Sequence, residues 1–319
     1  MYEKILVPLD GSDLAEVALP YVEELAGRLG SEITLLYVGE SPESSYQRTY
    51  QFYIEKTAET TKEGAERYIE KTKGKAIKVK PRILVGNPAE EIVEYASRED
   101  IGLIVLATHG RSGINRWSLG SVADKVVRAT DRPVVLIRAK GAQPDMREKG
   151  ILNKALVPLD GSEEAEAVIP YIEELASKLK AEVILLQVMS TNYQAIAEEE
   201  YGYVIYTDKQ IESDKAFAKD YLEKVSARLK QKGVAVKSEV RFGVAAEEII
   251  KLADEIYADV VAMSTHGRSG VGRWFFSSVA DRILHEGHSP LLLVRSSGVS
   301  MEYSSQHQEG SKEHLAARY

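Results

Sequence analysis

Short apolar runs rich in Val, Ile and Leu alternate along this chain with longer stretches whose apolar positions recur at helical spacing. In the first half, Lys4–Leu9, Glu32–Val38, Lys78–Val85, Leu103–Ala107 and Pro133–Arg138 read as strands. Asp13–Leu29, roughly Glu55–Thr72, Pro88–Arg98 and Ser121–Thr130 read as helices. Strands alternating with helices imply βαβ crossovers, hence an α/β fold with a doubly wound parallel sheet covered on both faces. Asn87 before Pro88 marks a helix start, because asparagine caps the first turn and proline has no N–H to leave unpaired there. Pro81 inside the third run marks an edge strand, since proline donates nothing to a ladder. A third strand at the edge is what the order 3-2-1-4-5 requires. In that order ligands bind outside the carboxyl ends of strands one and four.

The pattern occurs twice. ILVPLDGS at 5–12 returns as ALVPLDGS at 155–162, and PYVEELAGRL at 20–29 as PYIEELASKL at 170–179. EITLLYV at 32–38 returns as EVILLQV at 182–188, THGRSG at 108–113 unchanged at 265–270, and SVADKVV at 121–127 as SVADRIL at 278–284. Self-similarity at this period predicts two tandem five-stranded domains, 1–140 and 151–297, joined by a polar linker at 141–150. The Ser/Gln/Glu-rich tail, 298–319, is expected to be disordered. Pro133–Arg138 and Pro290–Arg295 would be open edges in separate domains. Their pairing within the chain is expected to make an intramolecular pseudo-dimer, with a homo-oligomer of the whole chain beyond it.

Composition narrows the function classes. The chain has 319 residues and a net charge of −8, so a polyanion-binding surface and nucleic acid as a partner are disfavoured. It has no cysteine, which excludes thiol catalysis, disulfides and thiolate metal sites. No apolar stretch approaches a membrane span, and MYEKILVPLD runs straight into a strand pattern without a signal-peptide flank. A cytoplasmic protein with no membrane partner is expected.

The candidate chemistry lies in Ala107-Thr108-His109-Gly110-Arg111-Ser112-Gly113 and its continuation to Gly120-Ser121-Val122-Ala123-Asp124. The segment leaves a strand, turns on glycines and enters a helix at the expected cleft. Loop amides and a helix N-terminus with its dipole can cradle a phosphate there. A plain turn, with Ser121 and Asp124 as a capping box, is the alternative. His109 and Arg111 stand beside the loop glycine, as phosphate donors or as packing and solvated residues.

PLDGS after one strand and THGRSG after another, with nine residues between Gly110 and Gly120-Ser121, resemble the universal stress protein family in a tandem two-domain form. The resemblance covers about 1–140 and 151–297. It implies an adenine nucleotide alpha hydrolase-like fold, binding of ATP or of AMP or ADP in some members, and dimers along the fifth strands. The family's motif is Gly-x-x-Gly, nine residues, then Gly-Ser or Gly-Thr; copy one departs only at Ala107. By resemblance, Gly110, Gly120, Ser121 and Val122 would contact phosphates, Asp10 would lie near the ribose, and Pro8, Leu9 and Val38 would surround the adenine. Mg²⁺ on a triphosphate would be met by Asp10.

Copy two departs further, with Ser264 at the first glycine and Ser277 at the third. Its matching positions are Pro158, Leu159, Asp160, Val188, Gly267, Ser277, Ser278 and Val279. A side chain at 277 is expected to cost backbone freedom and to leave a weaker or empty second site. His285 and His288 read as cations near a helix C-terminus, not as a metal site. The tyrosines at 46, 50 and 53, and at 201, 203 and 206, read equally as a lid, a subunit contact or helix packing.

No G-x-x-x-x-G-K-[ST] loop is present, no lysine falls between 107 and 121, and neither G-x-S-x-G nor G-x-G-x-x-G occurs. No catalytic residue is assigned, and ATP hydrolysis is expected to be slow or absent. An adenine-nucleotide-binding stress or regulatory protein is the leading expectation. A scaffold or carrier of another small ligand, and a weak ATPase, are its rivals.

Overall fold

The computed structural model of the chain describes residues 1–39, 47–69, 76–109, 119–138, 152–190, 208–265 and 277–296. The expected linker, the expected tail, the candidate positions Gly110, Arg111 and Gly267, and the tyrosines at 46, 201, 203 and 206 lie outside the described residues. Copy one runs β1 (Lys4–Leu9), α1 (Asp13–Glu16), α2 (Leu19–Leu29), β2 (Glu32–Gly39), α3 (Gln47–Ile69), β3 (Val79–Val85), α4 (Pro88–Arg98), β4 (Leu103–Ala107), α5 (Ser121–Ala129) and β5 (Val134–Ile137). Copy two repeats the order as β6 (Lys154–Pro158), α6 (Glu163–Glu166), α7 (Ile169–Leu179), β7 (Glu182–Met189), α8 (Asp208–Gln231), β8 (Ala235–Phe242), α9 (Ala245–Glu255), β9 (Val260–Ser264), α10 (Ser278–Glu286) and β10 (Leu291–Val294).

Two helices differ from the pattern reading. The run 13–29 breaks after Glu16 and restarts at Leu19, with Pro20 in the first turn of α2, where a missing N–H leaves no carbonyl unpaired. Helix α3 begins at Gln47, ahead of the expected start at Glu55. Its first turns are polar and aromatic, so their helical period is weak. Burial of Tyr50, Tyr53 and Ile54 against the sheet holds them. Asn87 caps α4, its side chain accepting from the Ala89 N–H at 3.1 Å, with Pro88 at the first position.

The strands form one ten-stranded sheet in the order β3-β2-β1-β4-β5-β10-β9-β6-β7-β8. Each half keeps 3-2-1-4-5, with Pro81 on the edge strand, and its pairs are parallel. The expected pairing of the fifth strands is present, and it makes the two five-stranded sheets halves of one. The fifth strands join them antiparallel, with Leu136 opposite Leu291 and Val134 opposite Leu293. Pairing removes two open edges and buries both strands.

Both faces of the sheet are covered. One core lies beneath α1–α3 and α6–α8, and the other beneath α4, α5, α9 and α10, and each runs through both copies. Helix α2 also meets α7 across the seam, where the Tyr2 hydroxyl donates to the Tyr171 carbonyl at 2.9 Å. The Arg28 guanidinium donates to the Leu179 carbonyl, and the Arg138 guanidinium to the Leu284 carbonyl. Among the described residues, no helix is long and apolar enough to cross a membrane.

Candidate functional site

The carboxyl ends of β1 and β4 lie side by side, because these strands pair through Ile5–Leu103 and Leu6–Ile104. After Leu9 the chain turns through Asp10-Gly11-Ser12. Gly11 has φ 81°, a left-handed conformation that glycine adopts without strain. The Asp10 carboxylate accepts from the Ser12 N–H at 3.0 Å and the Ser12 hydroxyl at 2.6 Å. The Ser12 hydroxyl in turn caps α1 by accepting from the Ala15 N–H. Copy two repeats this turn with Asp160, Ser162 and Ala165. The DGS motif thus has a structural task in both copies, beside any ligand contact.

At the end of β4, Ala107 and Thr108 are buried, and the Thr108 hydroxyl is hydrogen-bonded to His109 Nδ1 at 3.0 Å. His109 Nε2 is buried without a hydrogen-bond partner among the described residues. The chain re-enters at Gly120, whose N–H donates to the Thr108 carbonyl at 2.8 Å and pins the base of the glycine loop to β4. A Cβ at residue 120 would stand 3.0 Å from that carbonyl oxygen and 3.6 Å from His109 Cα. Gly120 is the N-cap of α5 and gives it no side-chain bond. The amides of Ser121, Val122 and Ala123 have no acceptor among the described residues, as a first helical turn leaves them unless a cap intervenes. They lie at the positive end of the helix dipole, in the turn that the Gly120 N–H ties to the Thr108 carbonyl after β4.

The apolar positions divide between the two faces. Val38 and Val122 pack together with the α4–α5 core, whereas Leu9 is buried under α1–α3. Pro8 is half-buried on β1, on the face it shares with Leu6. On the Leu9 side, Tyr37 at the end of β2 stacks on Tyr50 of α3, with centroids 4.3 Å apart and planes at 21°. The Tyr53 hydroxyl donates to the Glu16 carboxylate at 2.9 Å. Burial, then that acceptor, and then the charge of Asp10 push its pKa well above the usual tyrosine range.

At the start of α10, copy two repeats the backbone of copy one. The Ser277 N–H donates to the Thr265 carbonyl at 3.0 Å, matching Gly120 and Thr108. Its φ and ψ, −56° and 146°, match the −58° and 147° of Gly120. Any residue adopts these angles, so the expected loss of backbone freedom at 277 is not what separates the copies. The difference is the Ser277 hydroxyl, which accepts from the Ala280 N–H at 3.1 Å and caps α10. One of the amides open in α5 is thereby occupied. Pro158, Leu159, Val188, Ser278 and Val279 sit as their copy-one counterparts do, Val188 and Val279 against the same sheet face as Val38 and Val122.

A model of the Universal stress protein family matches residues 1–138 and 152–295. The chain belongs to the universal stress protein family. Among single-domain relatives, Universal stress protein YxiE of Bacillus subtilis is 33% identical over 148 residues, 43% of this chain and 100% of its own. Universal stress protein MJ0577 of Methanocaldococcus jannaschii is 29% identical over 159 residues, 44% of this chain and 98% of its own. Universal stress protein Rv2005c of Mycobacterium tuberculosis is 23% identical over 302 residues, 92% of this chain and 97% of its own, and so spans both repeats. The crystal structure of a universal stress protein from Archaeoglobus fulgidus aligns with a TM-score of 0.64 at 19% identity, over 93% of this chain and 99% of that one. It shares the fold.

Within this universal stress protein, Thr108 matters although the sequence reading passed over it, and Ser277, a candidate position there, acts as a helix cap and not through backbone freedom. Thr108 supplies the carbonyl that pins the loop and orients His109, and Ser277 closes α10. The second was legible, because serine is a favoured N-cap and glycine offers no side-chain acceptor. His285 Nδ1 contacts the Asp281 carbonyl at 2.7 Å in the last turns of α10, and His288 faces the Asp254 carboxylate at 3.2 Å. The two histidines thus have different partners.

Proposed function

We propose that this universal stress protein is a regulatory binder of adenine nucleotide, held chiefly in copy one. The carrying observation is the first turn of α5, which has no side-chain cap beside a buried His109 Nε2 that lacks a partner among the described residues. Ser121, Val122 and Ala123 would donate to phosphate oxygens, with His109 as a further polar partner. Gly120 leaves the approach clear, and its own N–H remains on Thr108. Val38 would meet the base from the α4–α5 face, and Asp10, fixed by Ser12, would face the ribose. Gly110 would complete the set by resemblance, and Arg111, beside it in the sequence, would add a bidentate donor. ATP, with Mg²⁺ as counter-ion of its phosphates, is the favoured ligand over AMP or ADP, because more phosphate oxygens meet more donors.

Binding at Ser277–Val279 is expected to be weaker, since the cap competes with the anion for the Ala280 amide. Hydrolysis is no part of the role: the ligand state, not its turnover, would set which partners the protein meets. Calorimetric titration of the full chain with ATP and Mg²⁺ tests this. One strong site per chain is expected, lost in Gly120→Val. Two equal sites would refute the asymmetry, and no heat of binding with either ATP or AMP would remove the nucleotide.

A further inference from the structure

The two ends of the ten-stranded sheet are unlike. Among the described residues, β3 and β8 each pair with a single neighbour, so each turns backbone N–H and C=O groups outward, a template for another strand. β3 is blunted. Pro81 removes a donor in mid-strand, and Lys80 and Arg82 flank it on one face. An antiparallel second copy centred on Pro81 would set Lys80 against the second copy's arginine, like against like. β8 has neither device, and its middle reads Val236-Lys237-Ser238-Glu239-Val240: apolar, basic, serine, acidic, apolar.

We propose that β8 is a self-complementary edge through which two copies of this chain pair antiparallel about Ser238. A two-fold axis normal to the sheet keeps each face in register, so it must pass through a residue and not between two. About Ser238, Lys237 meets the second copy's glutamate twice, and Val236 meets its Val240 twice. The faces agree. Val236 and Val240 pack on the α8 side of the core. Glu239 lies on the other face, tied to Arg241, which also reaches Glu248 and Glu255 of α9. The Lys237 side chain is 72% exposed while it holds Glu182. Shifting the axis to Glu239 would set Lys237 against arginine and glutamate against glutamate, so charge selects one register. The seam between β5 and β10 already joins two edges in this antiparallel manner. The inference is independent of what either cleft holds.

Sedimentation equilibrium of the full chain tests it. The wild type is expected to form a concentration-dependent dimer of the 35.4 kDa chain. Lys237→Glu, or Glu239→Lys, sets two like pairs across the axis and should weaken association about tenfold or more. The double reversal, Lys237→Glu with Glu239→Lys, restores both pairs and should restore the dimer, while Lys80→Glu on β3 changes nothing. Circular-dichroism melts confirm that each variant is folded. A wild type still monomeric at about 100 μM overturns the proposal. So does a dimer that single reversals leave intact, or one that the double reversal fails to recover.

Discussion

Helices α5 and α10 begin with the same backbone angles and the same bond back to β4 or β9, yet one opens on a glycine and the other on a serine. Where the serine stands, its hydroxyl caps the first turn; where the glycine stands, the turn keeps its donors. A helix N-terminus can serve its own stability or an external anion, and a single N-cap atom decides between them. The contrast also assigns the glycine a purpose. On the proposed reading it serves by the absence of a competing oxygen and of bulk near Thr108, since its φ is negative and open to any residue.

The most severe break of that contrast is Gly120→Val. Its Cβ would stand 3.0 Å from the Thr108 oxygen, with two methyls over the open turn. The ATP-induced rise in melting temperature is expected to vanish, a loss of affinity of about a hundredfold or more. Exchanging the caps is gentler. Gly120→Ser should cost copy one about tenfold in ATP affinity, and Ser277→Gly should raise that of copy two by a similar factor. Ser277→Gly should cost the fold only about a few tenths of a kcal/mol. If the two exchanges leave both affinities unmoved, the N-cap does not govern the difference.

The aromatic side of the cleft separates the copies next. Tyr37 stacks on Tyr50 in copy one, and the residue matching Tyr37 in copy two is Gln187, whose Oε1 is buried without a partner among the described residues. Tyr50→Ala removes the stack and the cover of a buried ring, and should lower stability by about 2 kcal/mol in urea unfolding. A loss near zero would mean that the start of α3 is held by Tyr53 and Ile54 alone. The helices on the other face differ by a cap. Asn87 caps α4, whereas Val244 stands at the matching N-cap of α9 without a side-chain bond. Asn87→Ala should cost about 1 kcal/mol, and Val244→Asn should recover up to about as much for copy two.

Much of this was legible because pattern and chemistry coincided. The alternation of runs, the repeat and Pro81 led to the strand order, and Asn87-Pro88 to the start of α4. The join was foreseeable from the open fifth strands, but that it makes one sheet of ten strands depends on apolar faces meeting side by side, Leu136 on Leu291, which no single run states. The early start of α3 was hidden because its first turns are held by the packing of Tyr50, Tyr53 and Ile54 and not by a helical period of their own. At the site, glycines and serines marked the place, and the Asp10 motif proved to carry a turn of its own. Thr108 was missed because its part is played largely by a backbone carbonyl, on which its side-chain identity is silent.

The smallest contrast lies at the opposite ends of β4 and β9. Gly102 and Asp259 match, each donating its N–H to a lysine carbonyl, Lys4 or Lys154, at 2.9 Å. A Cβ at Gly102 would meet the Met1 carbonyl oxygen at 1.7 Å, so no side chain fits there. At 259 there is room for a carboxylate, and it accepts from the Asn153 and Lys154 N–H groups at 2.8 Å each. Burial still raises the Asp259 pKa above the ordinary aspartate value, against those bonds and the charges of Lys154 and Arg28. Its own charge reaches across the seam to Tyr21, whose pKa is pushed up to about 12, by burial first and by Asp259 second. The folded chain therefore holds this proton more tightly than the unfolded chain. Between the ordinary aspartate value and the raised one the native state binds more protons, so its contribution to stability falls as pH rises through that window. Asp259→Asn keeps an oxygen to accept from the backbone and removes the titration. The urea midpoint of the variant should lose that part of the pH dependence, and a slope identical to that of the wild type would assign the proton to another group.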